Sequence, residues 1–139
     1  MLQYSLVYIL MIIYTDPYMF RAAKPSPESF LPLKTNWFHI LLSLAAAEQH
    51  GYGIMQEVSE RSGGKIRLWP ATLYGTIKRL IEAELIEESD ERPAPELDDA
   101  RRRYYKLTRL GKRVLDAETE RLEELVRIVQ VRRGLEAAR

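Results

Sequence analysis

The chain has 139 residues, no cysteine and a formal net charge of +1 at pH 7. This length corresponds to one domain, and an apolar content of 46% is enough for a small hydrophobic core. The lack of cysteine excludes disulfides, thiolate zinc sites and cysteine nucleophiles, and it is compatible with the reducing, cytoplasmic compartment that we expect.

Residues 1–32 are interpreted as an N-terminal appendage. Leu6 to Tyr14 is nearly continuous apolar sequence, but Asp16-Pro17 ends it well short of the ~20 residues that a membrane-spanning helix needs, so a membrane partner is disfavoured. The segment also lacks the basic start and the cleavage pattern of a secretion signal. Three interpretations stay open: a start-site artefact, a segment that docks on the fold or dimer, and a weak membrane anchor. Lys24 to Pro32, with three prolines, is interpreted as a linker.

Two short helices are predicted next. Apolar residues recur at helical spacing from Trp37 to Ala47, and the turn residues His50-Gly51 end this first helix. Gly51-Tyr52-Gly53 opens a second helix, and Gly63-Gly64 stops it. The inner face of the second helix consists of Ile54, Met55 and Val58.

A third helix is predicted to start at Pro70, because the fixed φ and the missing N–H of proline are tolerated in a first turn. Four apolar residues then recur at i, i+4, i+7 and i+8 and mark a core face. The opposite face carries small residues near its start and cations further on, which suits a DNA groove. The alternative is an ordinary solvated surface helix. The core-facing residues are Leu73, Ile77, Leu80 and Ile81, and the outward ones are Ala71, Thr72, Tyr74, Gly75, Lys78 and Arg79.

Two strands follow and complete the order of a winged helix-turn-helix. They are predicted at Leu85 to Glu88 and Arg103 to Leu107, and two prolines exclude regular pairing in the loop between them. With a period of two, neighbouring side chains lie on opposite faces of a strand. We therefore assign Tyr105 to the core and Tyr104 to the outward face.

Charge is distributed unevenly around this wing. Between Glu87 and Asp99 there are seven acids and one arginine, whereas residues 101–139 hold twelve Lys or Arg and six acids. DNA binding requires a clustered basic patch rather than a high average charge. The run Arg101-Arg102-Arg103 at the base of the wing can reach phosphates or a minor-groove edge. Alternatively, these arginines pair with the loop acids, Asp98 and Asp99 among them.

The last predicted element is a long helix over residues 108–139, with Thr108 as its N-cap. Apolar residues repeat along it every seven residues, with further ones between them. This stripe stays in water unless the same helix of a second chain covers it, so we expect a homodimer. The first helix is expected to contribute to the same interface. The expected dimerisation residues are Leu115, Leu122, Leu125, Val126 and Val129.

The sequence offers little support for catalysis. His39 and His50 are isolated, and there is neither a His pair at i, i+4 nor a glycine-rich phosphate loop. Asp98 and Asp99 are neighbours in a polar loop, which is typical of solvated charge rather than of an acid/base pair. We therefore expect no enzyme, no cofactor and no metal site.

Three separated motifs, in matching order, resemble the PadR family of bacterial transcriptional regulators. They read HILLSLAAAEQHGYGIMQEV, ATLYGTIKRLIEAELIEES and RRRYYKLTRLGKRVL. The resemblance extends from about Leu33 to Leu115, and the tail to Arg139 is in keeping with the family's dimerisation arm. Two positions depart from the family pattern: Ala71 stands where glycine is usual, and Glu84 precedes Leu85 where glycine is common. Without that second glycine, we expect a tight or slightly strained turn.

The resemblance implies a mainly α winged helix-turn-helix with a two-stranded wing and a long C-terminal dimerisation helix. The implied DNA-binding domain is 33–107 and the dimerisation helix 108–139. The implied function is a sequence-specific, dimeric repressor on an inverted repeat of double-stranded DNA, released by a small-molecule effector of unknown identity. Repression comes from the resemblance alone. The competing hypothesis is a protein-interaction module whose acidic wing keeps it off DNA. The expected DNA-binding residues are Thr72, Tyr74, Gly75, Lys78, Arg79, Arg101, Arg102, Arg103 and Tyr104.

Overall fold

The computed structural model describes residues 6–7, 23–90 and 102–139, and it has the predicted mainly α, winged helix-turn-helix architecture. Three short helices precede a wing, and one long helix follows it. In chain order the elements are a 3-10 turn (Pro27–Phe30), α1 (Thr35–Ala46), β1 (Gln49–His50), α2 (Gly51–Arg61), α3 (Pro70–Glu82), β2 (Ile86–Ser89), β3 (Tyr104–Leu107) and α4 (Arg109–Ala137).

The core lies where α1, α2 and α3 meet the wing and the first turns of α4. Every helix contributes its apolar stripe, as the helical spacing predicts. The predicted stop after α2 is also present, because Gly63 and Gly64 have φ of 61° and 78°. The buried apolar residues include Ile40, Leu41, Leu44, Ile54, Val58, Leu73, Ile77, Leu80, Leu85, Ile86, Tyr105 and Val114.

The sheet has three strands where two were predicted. The antiparallel hairpin of β2 and β3 is the predicted wing, with Ile86 opposite Leu107 and Ser89 opposite Tyr104. The two residues of β1 pair with the other edge of β3, so the strand order is β1-β3-β2. A strand of two residues has no detectable alternation, and His50-Gly51 was therefore predicted only as a turn.

The turn after α3 has the strain expected from the missing glycine. Glu84 has a φ of 59°, in the left-handed region that favours glycine. The Leu85 N–H donates to the Leu80 carbonyl (3.0 Å) and the Glu84 N–H to the Ile81 carbonyl (2.9 Å). This pair of bonds is a Schellman motif, which satisfies the last carbonyls of the helix despite the glutamate.

The interpretation of residues 24–32 as a linker is wrong for the part that forms the 3-10 turn. This turn contacts α4, Pro27 is buried, and Phe30 and Leu31 pack against the core. The prolines that suggested a linker instead fix a turn that covers apolar surface. Of residues 1–22, only Leu6 and Val7 are described, and both are exposed; the three interpretations of this segment otherwise lie outside the described residues.

The arm of α4 divides at about its tenth residue into a buried base and an exposed end. Leu115 is 7% exposed and belongs to the core, so its assignment to the dimer interface is wrong. The heptad spacing continues from the chain's own core into the exposed part of α4, so the repeat alone does not distinguish core residues from exposed ones. The other expected dimerisation residues are exposed, and a second exposed apolar stripe lies on another side of the helix: Ile128, Val131 and Leu135.

Candidate nucleic-acid interface

The outward face of α3 is exposed as predicted. Its core side differs from the prediction in two residues: Ile81 is 39% exposed and Thr76 is buried. Ile81 lies in the last turn, at the edge of the core face, beside an open groove. Thr76 tolerates burial because its hydroxyl donates to the Thr72 carbonyl at 2.7 Å. The exposed outward residues are Ala71, Thr72, Tyr74, Gly75, Lys78 and Arg79.

Tyr74 forms one flank of this face and leans over the start of α2. A Cβ on Gly51 would lie 2.9 Å from the Tyr74 hydroxyl oxygen, so a side chain at Gly51 would push the phenol away. Between Tyr74 and the base of the wing there is a cleft of about 350 Å³. The cleft is lined by His50, Gly51, Tyr52, Tyr74, Arg102, Arg103 and Tyr105.

His50 organises the wall of this cleft, a role that the turn prediction missed. Its Nδ1 accepts a hydrogen bond from the Gly53 backbone at 3.0 Å and thereby caps α2. Its ring lies parallel to that of Tyr52 and edge-on to that of Tyr104, with centroids 5.4 Å apart in the second pair. Arg102 Nη1 lies 3.2 Å from His50 Nε2. The sequence signal for this capping role is that His50 is a polar residue directly before the start of a helix.

Both tyrosines of β3 are buried, although only Tyr105 was assigned to the core. Tyr105 lies in the core, where burial and then the nearby Glu88 carboxylate raise the pKa of its phenol. Tyr104 is 7% exposed because the His50 ring and β1 cover the face that was expected to be open. Its ring therefore packs against the His50 ring that lines the cleft, and little of it is left for direct contact with DNA.

Two cations of the wing, Arg103 and Lys106, lie beside acids of β2. Arg103 Nε is 3.9 Å from Glu88 Oε1, and Lys106 Nζ is 3.7 Å from Glu87 Oε1. Exposed pairs at such distances contribute little to stability, so the cations can exchange these partners for phosphates. Arg101, Asp98 and Asp99 lie outside the described residues, and the wider pairing of the arginine run with loop acids stays a prediction.

No metal-binding group of three His, Asp or Glu side chains is found among the described residues. In the same part of the chain, no helix is long and apolar enough to cross a bilayer.

Comparisons with known proteins agree with this geometry. The model of the transcriptional regulator PadR-like family matches residues 40–117. The transcriptional regulator Rv3488 of Mycobacterium tuberculosis is 38% identical over 91 residues, which cover 66% of this chain and 78% of that protein. A PadR family transcription regulator from Clostridium difficile superposes with a TM-score of 0.59 at 26% identity, over 70% of this chain and 96% of the other.

A transcriptional regulator from Clostridium thermocellum has the same fold, with a TM-score of 0.57 at 21% identity, over 68% of this chain and 86% of that one. The family match covers more than half of the chain, and it falls on the helices, the wing and the base of α4. The chain belongs to the PadR-like family of transcriptional regulators.

Proposed function

We propose that this regulator acts by binding double-stranded DNA in a sequence-specific manner, with α3 as the reading helix. The observation that carries the proposal is the exposed outward face of α3, where small side chains at the start are followed by Lys78 and Arg79. Small side chains near its start let a helix approach the base edges of the major groove closely, and cations further along reach the phosphates. Regulators of this family bind DNA.

The residues of the interface take different roles in this proposal. Thr72, Tyr74 and Gly75 lie near the N-terminus of α3, from which helix-turn-helix proteins contact base edges. Lys78 and Arg79 contact phosphates, and so do Arg102 and Arg103 at the mouth of the cleft. Arg101 is proposed for the same wing contact on sequence grounds.

The proposed active species is a homodimer held by the exposed stripe of α4. Leu122, Leu125, Val126 and Val129 supply apolar surface that a second copy of the helix covers. A two-fold dimer presents two reading helices to half-sites about one DNA turn, roughly 34 Å, apart or a multiple of it. Such a dimer suits an inverted repeat. Repression, and release by a small-molecule effector, complete the proposal by analogy with the family.

A second candidate is a protein-interaction module that does not bind DNA directly. The observation in its favour is the pairing of Glu87 and Glu88 with Lys106 and Arg103, which lowers the positive charge of the wing. Salt-dependent binding to the chain's own promoter region separates the two candidates, because a protein partner does not release condensed counterions from DNA.

The test starts with selection of bound genomic fragments by the purified full chain. Lys78→Ala/Arg79→Ala is then compared with Lys112→Ala/Arg113→Ala, a control that removes an identical exposed Lys-Arg pair from α4. We expect the α3 variant to lose affinity for every fragment and to lower the log–log salt slope by about one per lost phosphate contact. The α4 control should keep the parental slope. Equal affinity of the two variants and the parent would reject α3 as the reader.

A further inference from the structure

A second cleft lies on the flank of α3 that faces α1. Its volume is about 200 Å³, and it is formed by the start of α1 together with two residues of α3. The side chains that border it are mostly polar, unlike those of the groove beside Trp69. They are Lys34, Thr35, Asn36, Trp37, Thr76 and Arg79.

Two cations from different elements converge on this cleft without a carboxylate between them. Among the described residues, no Asp or Glu oxygen lies within 4.0 Å of Lys34 or Arg79, and none borders the cleft. By contrast, Arg103 and Lys106 each have an acidic neighbour on β2. Two like charges beside a polar cleft repel each other, and an anion between them relieves that repulsion.

The position of the cleft relative to the wing identifies the anion. Arg79 follows Tyr74 by five residues, so the two side chains leave α3 about 140° apart. The wing cleft therefore lies on one flank of the outward face and the Lys34 cleft on the other. A helix with its side chains is about 10–12 Å across, and a major groove is about 12 Å wide between its two phosphate backbones. With α3 in the groove, each flank faces one backbone.

We propose that Lys34, Asn36 and Arg79 form a phosphodiester-binding site that holds the DNA backbone on the side of α3 opposite the wing. Lys34 supplies a charge, the Asn36 amide supplies a hydrogen-bond donor, and Arg79 closes the site from α3. This inference rests on the proposed DNA binding. It adds α1 as a second positioning element, so that the reading helix is held from both sides.

The test compares Lys34→Ala with Lys112→Ala, because both replace one exposed lysine and Lys112 borders neither cleft. Lys34 is the decisive position, since Arg79 also belongs to the outward face. Binding of the full-length proteins to a generic 30-base-pair duplex and to a selected fragment is measured by fluorescence anisotropy across a salt series. Lys34→Ala should lower the salt slope by about one per bound chain. It should also weaken the affinity for both duplexes by a similar factor.

Lys34→Arg should restore the slope, because the positive charge is kept, and Lys112→Ala should match the parent. If the parent binds DNA and Lys34→Ala keeps the parental slope, the α1 site is wrong while the proposed function stands. If the parent fails to bind either duplex at low salt, both proposals are wrong. A change confined to the selected fragment would also overturn the site, because a backbone contact acts on every sequence.

Discussion

Gly111, in the first turn of α4, lies directly against the backbone of Leu85. A Cβ at this position would overlap the Leu85 carbonyl oxygen and approach its carbonyl carbon to 2.8 Å. Both contacts are backbone atoms, which cannot rotate away as a flexible side chain does. The glycine is therefore required by packing, although its backbone conformation is helical.

Gly111→Ala should destabilise the fold by roughly 1–3 kcal/mol, because the turn after α3 must move to admit one methyl group. Gly75→Ala is the matched control, since nothing lies within 4 Å of a Cβ there and alanine favours a helix by up to about 1 kcal/mol. Urea denaturation of both variants measures the difference. A stability gain for Gly111→Ala like that of Gly75→Ala would contradict the packing.

Single residues were predicted well at the centre of a face and poorly at its edge. The helical period places Leu73, Ile77 and Leu80 in the core, and they are buried. Ile81 has the same spacing but lies in the last turn, where fewer neighbours cover it. Tyr104 was misplaced for a related reason: the alternation of a strand defines two faces, yet only the fold shows that β1 and His50 cover the second one.

At the scale of elements, α4 is both part of the domain and an arm. Its first turns are buried in the core, while the stripe from Leu122 to Val129 is exposed along the rest of the helix. A second stripe, from Ile128 to Leu135, lies on a different side. Two apolar sides suit a helix that packs against more than one element of a partner chain.

Val126→Glu should convert the proposed dimer to a monomer, because a carboxylate in a helix–helix interface costs several kcal/mol when it is unpaired. Val131→Glu makes the same change on the second stripe, about 140° around the helix, and should disturb the dimer less. Light scattering gives the mass, and circular dichroism confirms that both variants keep their helices. Dimers of equal strength for Val126→Glu and the parent would place the interface elsewhere.

The helices and their apolar faces could be predicted from the spacing of apolar residues. What packs against each face could not. A heptad repeat specifies that a face is apolar, but it does not specify whether the chain's own core covers that face or leaves it exposed. Leu115 and Leu122 are one heptad apart, but Leu115 is buried in the chain's own core and Leu122 is exposed. The 3-10 turn at Pro27–Phe30 was missed because its prolines resemble a linker unless the surface beneath them is known.

At the scale of the whole molecule, the segment before α1 is tied to α4 by a buried carboxylate. Glu118 is 3% exposed and accepts two hydrogen bonds from Arg121, at 2.7 and 2.8 Å. The Arg121 hydrogen bond, aided by its charge and by a bond from the Leu33 backbone, holds the pKa of Glu118 below its usual value of 4.5 against the opposing effect of burial. The ionised carboxylate thus joins α4 to the chain that leads into α1.

A lowered pKa in the folded state predicts the direction of the pH effect. The stabilisation by Glu118 is fully present above the unfolded pKa near 4.5 and is lost as pH falls through the lower folded value. Glu118→Gln should therefore lower stability at pH 7 and weaken its decline under acid conditions. Glu124→Gln, which removes the exposed partner of Arg127 at the same i, i+3 spacing, is the control and should change little. Thermal unfolding from pH 7 to 3 measures both, and identical curves for Glu118→Gln and the parent would refute the linkage.

The turn between α3 and the wing is also the point at which α4 is attached to the rest of the domain. Thr108 donates its side-chain hydroxyl to the Glu84 carbonyl at 2.6 Å and its N–H to the Leu85 carbonyl at 3.1 Å, and Gly111 leaves no space for the two parts to slide. The 29 residues of α4 extend about 43 Å from this point. Because this attachment is rigid, a tilt of α4 by about 5° turns the domain with it and moves the far end of the helix by roughly 4 Å. In the proposed dimer, a change in the crossing angle of the two α4 helices therefore rotates the proposed reading helices. In the proposed DNA-bound dimer, the distance between the two reading helices therefore depends on how the far ends of the two α4 helices pack.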